Sequence, residues 1–259
     1  MKLTFLGSGS AFTVGTHNYH SNMLLGDEQG KHLLIDCGSD VRLSLHELNL
    51  TYQDITDVYV SHLHSDHAGG LEWLAFTTKF NSHCERPNLY ICEKLVETLW
   101  NKVLSGGLSS LQTEIATLAT YFNVHPVKEN GYFLWNGMRF QLIQTLHIMS
   151  GFSIVPSYGL MFKVNNLTVF ITTDTQFSPH QITDFYKMAD LIFHDCETAV
   201  RRSRVHAHYE ELLTLPSDIR KKMWLYHYNP GKLPNAIKDG FRGFVKKGQV
   251  FDFEDPTTL

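Results

Sequence analysis

Cysteine, proline, net charge and long apolar runs are all scarce in this 259-residue chain. Its four cysteines, Cys37, Cys84, Cys92 and Cys196, form no CxxC pair and no dense framework. That excludes a disulfide-stapled scaffold and points to free, mostly buried thiols in a reducing cytoplasm. No apolar run approaches ~18 residues, so no transmembrane helix and no membrane partner are expected. The opening MKLTFLGSGSAF has one lysine and a brief apolar stretch before glycine, which reads as a strand and turn rather than a signal peptide. Only 19% of residues are charged and the net charge is -4. That argues against a broad phosphate-binding face, and extended nucleic acid is not an expected partner. The local clusters Arg201, Arg202, Arg204 and Lys246, Lys247 read as solvated loop charges. No Pro/Gly-rich linker divides the chain, which reads as one domain over residues 1–259 in two similar halves.

What the chain does hold is enough apolar residue (43%) for a sizeable core, and 15 histidines. Short strands alternate with turns and helical segments. KLTFLGSGS, HLLIDCGS and ITDVYVSH read as strands, and Ser39 to Leu50 and GGLEWLAFTTKF as helices. NLYIC is a strand, and Glu93 to Phe122 is mainly helical with an interruption at Gly106-Gly107. In the second half MRFQLIQTLH is a strand ending on His147, and YGLMFKVNN with LTVFITTD forms a hairpin around Asn165-Asn166. ADLIFHDC is a buried strand, HAHYEELLTL opens a helix and KMWLYHY is a strand. These elements suit an α/β fold of mixed sheets with helices outside.

The histidines gather at strand ends. VSHLHSDHAGG puts His62, His64, Asp66 and His67 directly after a strand and before a glycine pair. Side chains two apart in extended backbone point the same way, so His62 and His64 can share one metal, while Asp66 and His67 face a second. Imidazole with carboxylate suits Zn²⁺, with Mn²⁺ or Fe as alternatives. With 15 His and 14 Asp, H-x-H-x-D-H is expected by chance roughly 0.003 times in such a chain. His147, Asp174 and His227 each lie at or just past a strand-like run and can meet this cluster at one sheet edge. Asp36 in IDCG is placed to accept from a metal-binding imidazole.

LLIDCG, SHLHSDH, His147 followed by PSYG, TTDT, IFHDC and LYHY stand in the order of a metallo-β-lactamase-fold hydrolase, which the chain resembles over nearly its full length. Order and the PSYG turn are most similar to the RNase Z branch and its relatives that cleave cyclic nucleotides, including phage anti-Pycsar phosphodiesterases. The resemblance implies an αββα sandwich, two mixed sheets flanked by helices. It implies two divalent metal ions per chain. His62, His64 and His147 take one, Asp66, His67 and His227 the other, and Asp174 bridges them. True β-lactamases carry a cysteine where Asp174 stands, so antibiotic hydrolysis is disfavoured. The resemblance also carries over Asp195 as the carboxylate that orients His206, and His206 as the acid that protonates the leaving oxygen. Here Asp replaces the usual Glu, and His208 stands where a small hydroxyl residue is common, so His208 is an alternative acid. Relatives are commonly homodimers.

Two metals hold a hydroxide and clamp a phosphodiester, and Asp66 can orient that nucleophile as well as bind metal. RNase Z enzymes grip tRNA with a long arm between the third metal histidine and the bridging aspartate. The stretch 148–173 has no room for one, which favours a small or cyclic nucleotide. Phe152, Tyr158 and Tyr209 are candidates to stack on a base, and Arg201, Arg202 and Arg204 to meet phosphate. The alternatives are a tRNA 3′ endonuclease, a lactone or thioester hydrolase, and a non-catalytic metal-binding protein.

Overall fold

The computed structural model describes residues 1–14 and 17–259. The first half contributes β1 (Lys2–Phe5), β2 (Met23–Gly26), β3 (His32–Ile35), β4 (Asp57–Val60), β5 (Asn88–Cys92), a small hairpin β6 (Ser110–Leu111) and β7 (Glu114–Ile115), and β8 (Asn123–Val127). The second contributes β9 (Tyr132–Trp135), β10 (Met138–Ser150), β11 (Ser153–Val164), β12 (Leu167–Ile171), β13 (Leu191–Asp195), β14 (Met223–Tyr226) and β15 (Gly243–Phe244). Finally β16 (Val250–Asp252) returns to the first sheet.

Two seven-stranded mixed sheets result, ordered β16-β1-β2-β3-β4-β5-β8 and β15-β14-β13-β12-β11-β10-β9. In the first, β3–β4, β4–β5 and β5–β8 pair in parallel. In the second, β12–β13, β13–β14 and β14–β15 do so. The remaining neighbours in both sheets are antiparallel. One pairing pattern thus occurs twice, which is the likeness between halves visible in the sequence.

The sheets pack face to face. Phe5 of β1 meets Phe193 of β13 and Tyr226 of β14 with ring centroids 5.2 and 5.4 Å apart. Every residue of β13 is buried, because Phe193 faces the inter-sheet core while Ile192 faces the helices Pro179–Met188 and Ser217–Arg220 on the outside. A parallel strand covered on both faces reads as an unbroken apolar run, and ADLIFHDC does. The helix Leu71–Lys79 buries Leu71, Leu74 and Ala75 against the first sheet. The layers are therefore αββα. Among the described residues, no helix is long and apolar enough to cross a membrane.

Two expectations need correction. The stretch 93–122 does not break at Gly106-Gly107: helix Glu93–Thr98 continues through a π-helical Leu99–Leu104 into Ser105–Leu108, which contains both glycines. The break comes later, at the β6–β7 hairpin. At Gly107 a Cβ would stand 2.1 Å from Glu72 Oε2, the movable end of a side chain. Strand β10 also does not end on His147. It runs on to Ser150, and its register against β11 shifts between Leu146 and Ile148. His147 is the extra residue of a bulge, a device that re-aims a side chain out of the ladder.

Candidate metal centre

The carboxyl ends of β3, β4, β13 and β14 lie side by side across the two sheets and lead into Asp36, His62, Asp195 and His227. Three non-glycine residues here sit in the left-handed region: Asp36 (φ 63°), Thr173 (φ 51°), just before Asp174, and His227 (φ 62°). Such backbone costs of order 1–3 kcal/mol each and persists only where the surroundings over-determine it. The turn of the histidine cluster rests on the 36–39 loop through Cys37 N–H to His67 O (2.7 Å) and Gly70 N–H to Cys37 O (2.8 Å). That approach requires glycine at 38, where a Cβ would fall 2.0 Å from the carbonyl oxygen of Asp66.

Seven predicted residues converge into two sets of four atoms. In one, His62 Nε2 and His147 Nε2 lie 3.0 and 3.1 Å from His64 Nδ1, and both lie 3.6 Å from Asp174 Oδ2. In the other, His67 Nε2 lies 3.1 Å from Asp66 Oδ2 and 3.3 Å from Asp174 Oδ1. His227 Nε2 lies 3.3 and 3.5 Å from the same two oxygens. Ligand atoms 2.0–2.1 Å from a tetrahedral ion are about 3.3 Å apart, and both sets span that value. Asp174 supplies one oxygen to each.

These residues fit cations on their own evidence. His67 Nε2 and Asp174 Oδ1 are buried without a hydrogen-bond partner, a costly state for polar atoms. His147 donates its Nδ1 proton to Val205 O at 2.8 Å, so Nε2 offers a lone pair. His62 Nδ1 meets Ser61 Oγ at 3.1 Å, which leaves its Nε2 in the same condition. His64 Nδ1, between them, can donate to only one. Burial acts to neutralise His67 and His227, yet Asp174, Asp66 and Asp36 around the first, and Asp174 and Asp195 around the second, hold both well above the ordinary imidazole range. His62, where burial and His67 act together, is pushed well below it. Burial opposes ionisation of Asp66 and Asp174, and their imidazole neighbours more than offset it. The centre is a buried cluster of carboxylates paired with imidazoles.

Asp36 lies where the sequence put it, with Oδ2 2.7 Å from His67 Nδ1. The same oxygen accepts the Ser61 hydroxyl at 2.8 Å, and Ser61 meets His62. One carboxylate thus reaches an imidazole of each set. Ser61 was not among the expected residues, although a hydroxyl beside the motif was the available signal. The Val205 carbonyl had no side-chain signal at all.

Asp195 Oδ2 lies 2.8 Å from His206 Nδ1 and accepts Thr175 N–H at 2.9 Å, while Oδ1 faces His227 Nδ1 at 3.4 Å. The His206 ring stacks 4.7 Å from that of His227, and its side chain keeps 17% exposure. Burial lowers its proton affinity, and Asp195 and Asp174 reverse this to a net rise. His208 is engaged elsewhere: its Nε2 meets Ala199 O at 3.0 Å and its Nδ1 accepts Glu210 N–H at 3.3 Å. Of the stacking candidates, Tyr158 is fully buried with its hydroxyl on Glu129, and Tyr209 is buried with its hydroxyl on Asp239. Phe152 stands fully exposed at the tip of the β10–β11 hairpin. Arg202 pairs with Glu210 and Glu211, and Arg201 and Arg204 are exposed beside it.

Sheet order, layers and the two-centre cluster define a metallo-β-lactamase-fold, metal-dependent hydrolase. In fold the chain is similar to the metallo-β-lactamase fold protein YhfI from Bacillus subtilis, with a TM-score of 0.74 at 20% identity over 96% of this chain and 98% of that one. More narrowly, the chain belongs to the anti-Pycsar protein Apyc1 family, whose model matches residues 1–251. An anti-Pycsar protein Apyc1 of Paenibacillus harenae is 36% identical over 233 residues, covering 88% of this chain and 90% of that protein. Another, of Paenibacillus sp. (strain J14), is 34% identical over 254 residues, covering 97% and 98%.

Proposed function

We propose that this chain is a phosphodiesterase that opens cyclic nucleotides with two divalent ions, zinc before manganese or iron. The observation that carries it is the pair of four-atom sets sharing Asp174, with the His206–Asp195 pair alongside. His62, His64, His147 and Asp174 would hold one ion, and Asp66, His67, His227 and Asp174 the other. Bound there, such ions supply Lewis-acid stabilisation of phosphoryl charge and acidify water. Asp66 orients the attacking water as well as holding its ion. With Nδ1 committed to Asp195, His206 carries a proton on Nε2 and gives it to the departing ribose oxygen, and Asp195 stabilises the charged ring until it does.

The substrate reading is supported by family membership and by the chain between His147 and Asp174. The β10–β11 hairpin and β12 occupy that interval, where an RNase Z arm would need its length. A net charge of -4 argues the same way against tRNA. The same reading takes residues 1–259 as one domain. It takes the working form as a cytoplasmic homodimer, with support from the four free thiols and from exposed Phe12, Phe152 and Val200.

The test incubates metal-loaded protein with 3′,5′- and 2′,3′-cyclic nucleotides, a precursor tRNA and a model lactone. Turnover of a cyclic nucleotide above the others is expected. Brisk lactone opening with no phosphodiester cleavage would sink the proposal.

A further inference from the structure

Between β13 and the helical turn Tyr209–Leu212 the chain makes an irregular excursion over residues 198–205, in which residues 200–204 are all exposed. At its foot lies Glu197, 4% exposed and part of neither ligand set. Its two oxygens stand 2.9 and 3.0 Å from one donor, the backbone N–H of Ser203. A buried carboxylate is thus devoted to the far side of a surface loop. The near side has its own ties, His208 Nε2 to Ala199 O and Thr198 N–H to Asn229 Oδ1 at 3.0 Å each.

The far side reaches the centre twice. Val205 O accepts the Nδ1 proton of His147 at 2.8 Å, and that bond leaves the His147 Nε2 lone pair facing His64. The next residue is His206, whose Nδ1 rests on Asp195. A shift of the Ser203 backbone would move the Val205 carbonyl, since Val205 N–H also bonds the Ser203 hydroxyl at 3.3 Å, whereas His206 is pinned on its other side by Ala207 N–H to Thr175 O at 2.7 Å. We infer that Glu197 is a positioning residue. By fixing Ser203 it sets the Val205 carbonyl that orients His147.

This inference rests on the reading of His147 as a metal ligand, and it makes a selective forecast. The set Asp66, His67, Asp174, His227 is oriented by Asp36 and Asp195 instead. Loss of Glu197 should therefore weaken one ion and spare the other. The experiment measures the two zinc dissociation constants by competition with a chromophoric chelator in the full chain. The variants are Glu197→Ala, Glu197→Gln, Ser203→Pro, Ser203→Ala and His147→Ala.

Glu197→Ala should weaken one ion by about tenfold or more, the range of lost outer hydrogen bonds to metal-binding histidines. Glu197→Gln keeps an acceptor oxygen and should restore it. Ser203→Pro removes the N–H that Glu197 binds together with the Ser203 hydroxyl that accepts Val205 N–H at 3.3 Å. It should reproduce the alanine effect where a Ser203→Ala control, which loses the hydroxyl alone, does not, and this pair decides the matter if Glu197→Ala fails to fold. Unchanged binding in both Glu197→Ala and Ser203→Pro, or equal weakening of both ions as general loosening would give, overturns the inference. Unchanged binding in His147→Ala instead overturns the ligand reading beneath it.

Discussion

Replacing His206 with alanine isolates proton delivery to the leaving group. The ring is held by one charge-assisted bond, Nδ1 to Asp195 Oδ2 at 2.8 Å, and Nε2 is the nitrogen left for substrate. Positioned acids contribute about 10²–10⁴-fold. The alkoxide of a ribose hydroxyl is a poor leaving group, so the loss in kcat on a 3′,5′-cyclic nucleotide should fall near the middle, about 10³-fold, or about 4 kcal/mol. A p-nitrophenyl phosphodiester expels a stable phenolate and needs little help, so its loss should stay within about tenfold. Asp195→Asn is the poorer probe, because Asp195 also accepts Thr175 N–H and faces His227. The assay is steady-state kcat on both substrates with metal content measured on the same samples. Equal losses on the two substrates, or a variant that has shed an ion, would refute the acid assignment.

Other perturbations separate the parts of the centre. Asp36→Asn should weaken both ions by about 10–100-fold, since Asp36 reaches His67 directly and His62 through Ser61, whereas Ser61→Ala should weaken one; titration calorimetry with zinc distinguishes the patterns, and a one-ion effect in Asp36→Asn would contradict the shared carboxylate. Gly38→Ala should cost about 1–3 kcal/mol, because its Cβ meets Asp66 O at 2.0 Å. Gly106→Ala, in a helix with nothing within 4 Å of the added carbon, should stabilise by about 0.5–1 kcal/mol. Urea midpoints that rank these two the other way would defeat the packing argument. Chelation should lower the melting temperature, because ions held by the folded chain alone stabilise it by mass action. Restoring zinc to about 100 times its dissociation constant should return about 2.7 kcal/mol per site, and a melt that ignores zinc speaks against metal in the centre.

How far the sequence could be read depended on where the chemistry is written. The SHLHSDH run is legible because four convergent side chains are contiguous and follow a buried strand. ADLIFHDC is legible because a strand covered on both faces has to be apolar throughout. Where backbone does the work, the letters are silent. The bulge at His147 looks like any strand residue, and the Val205 carbonyl that orients it could belong to any amino acid. The helix through Gly106-Gly107 defeats a propensity rule that tertiary context overrides.

Asp36, Thr173 and His227 make the same point in reverse. Each adopts a backbone conformation for which glycine is the inexpensive choice. At 36 and 227, glycine would delete the carboxylate on His67 and an imidazole of the second set. At 173 it would delete the hydroxyl that bonds Ser157 at 2.8 Å, beside His62. Local preference and site chemistry conflict at these positions, and the side chain is retained at the cost of strain. The surrounding sheets must supply that stability, and Phe5, Phe193 and Tyr226 pack against one another in the core between them. Breaches of local sequence rules therefore accompany this centre, where the side chains are not the asparagines that take the same conformation at turns such as Asn49, Asn130 and Asn165.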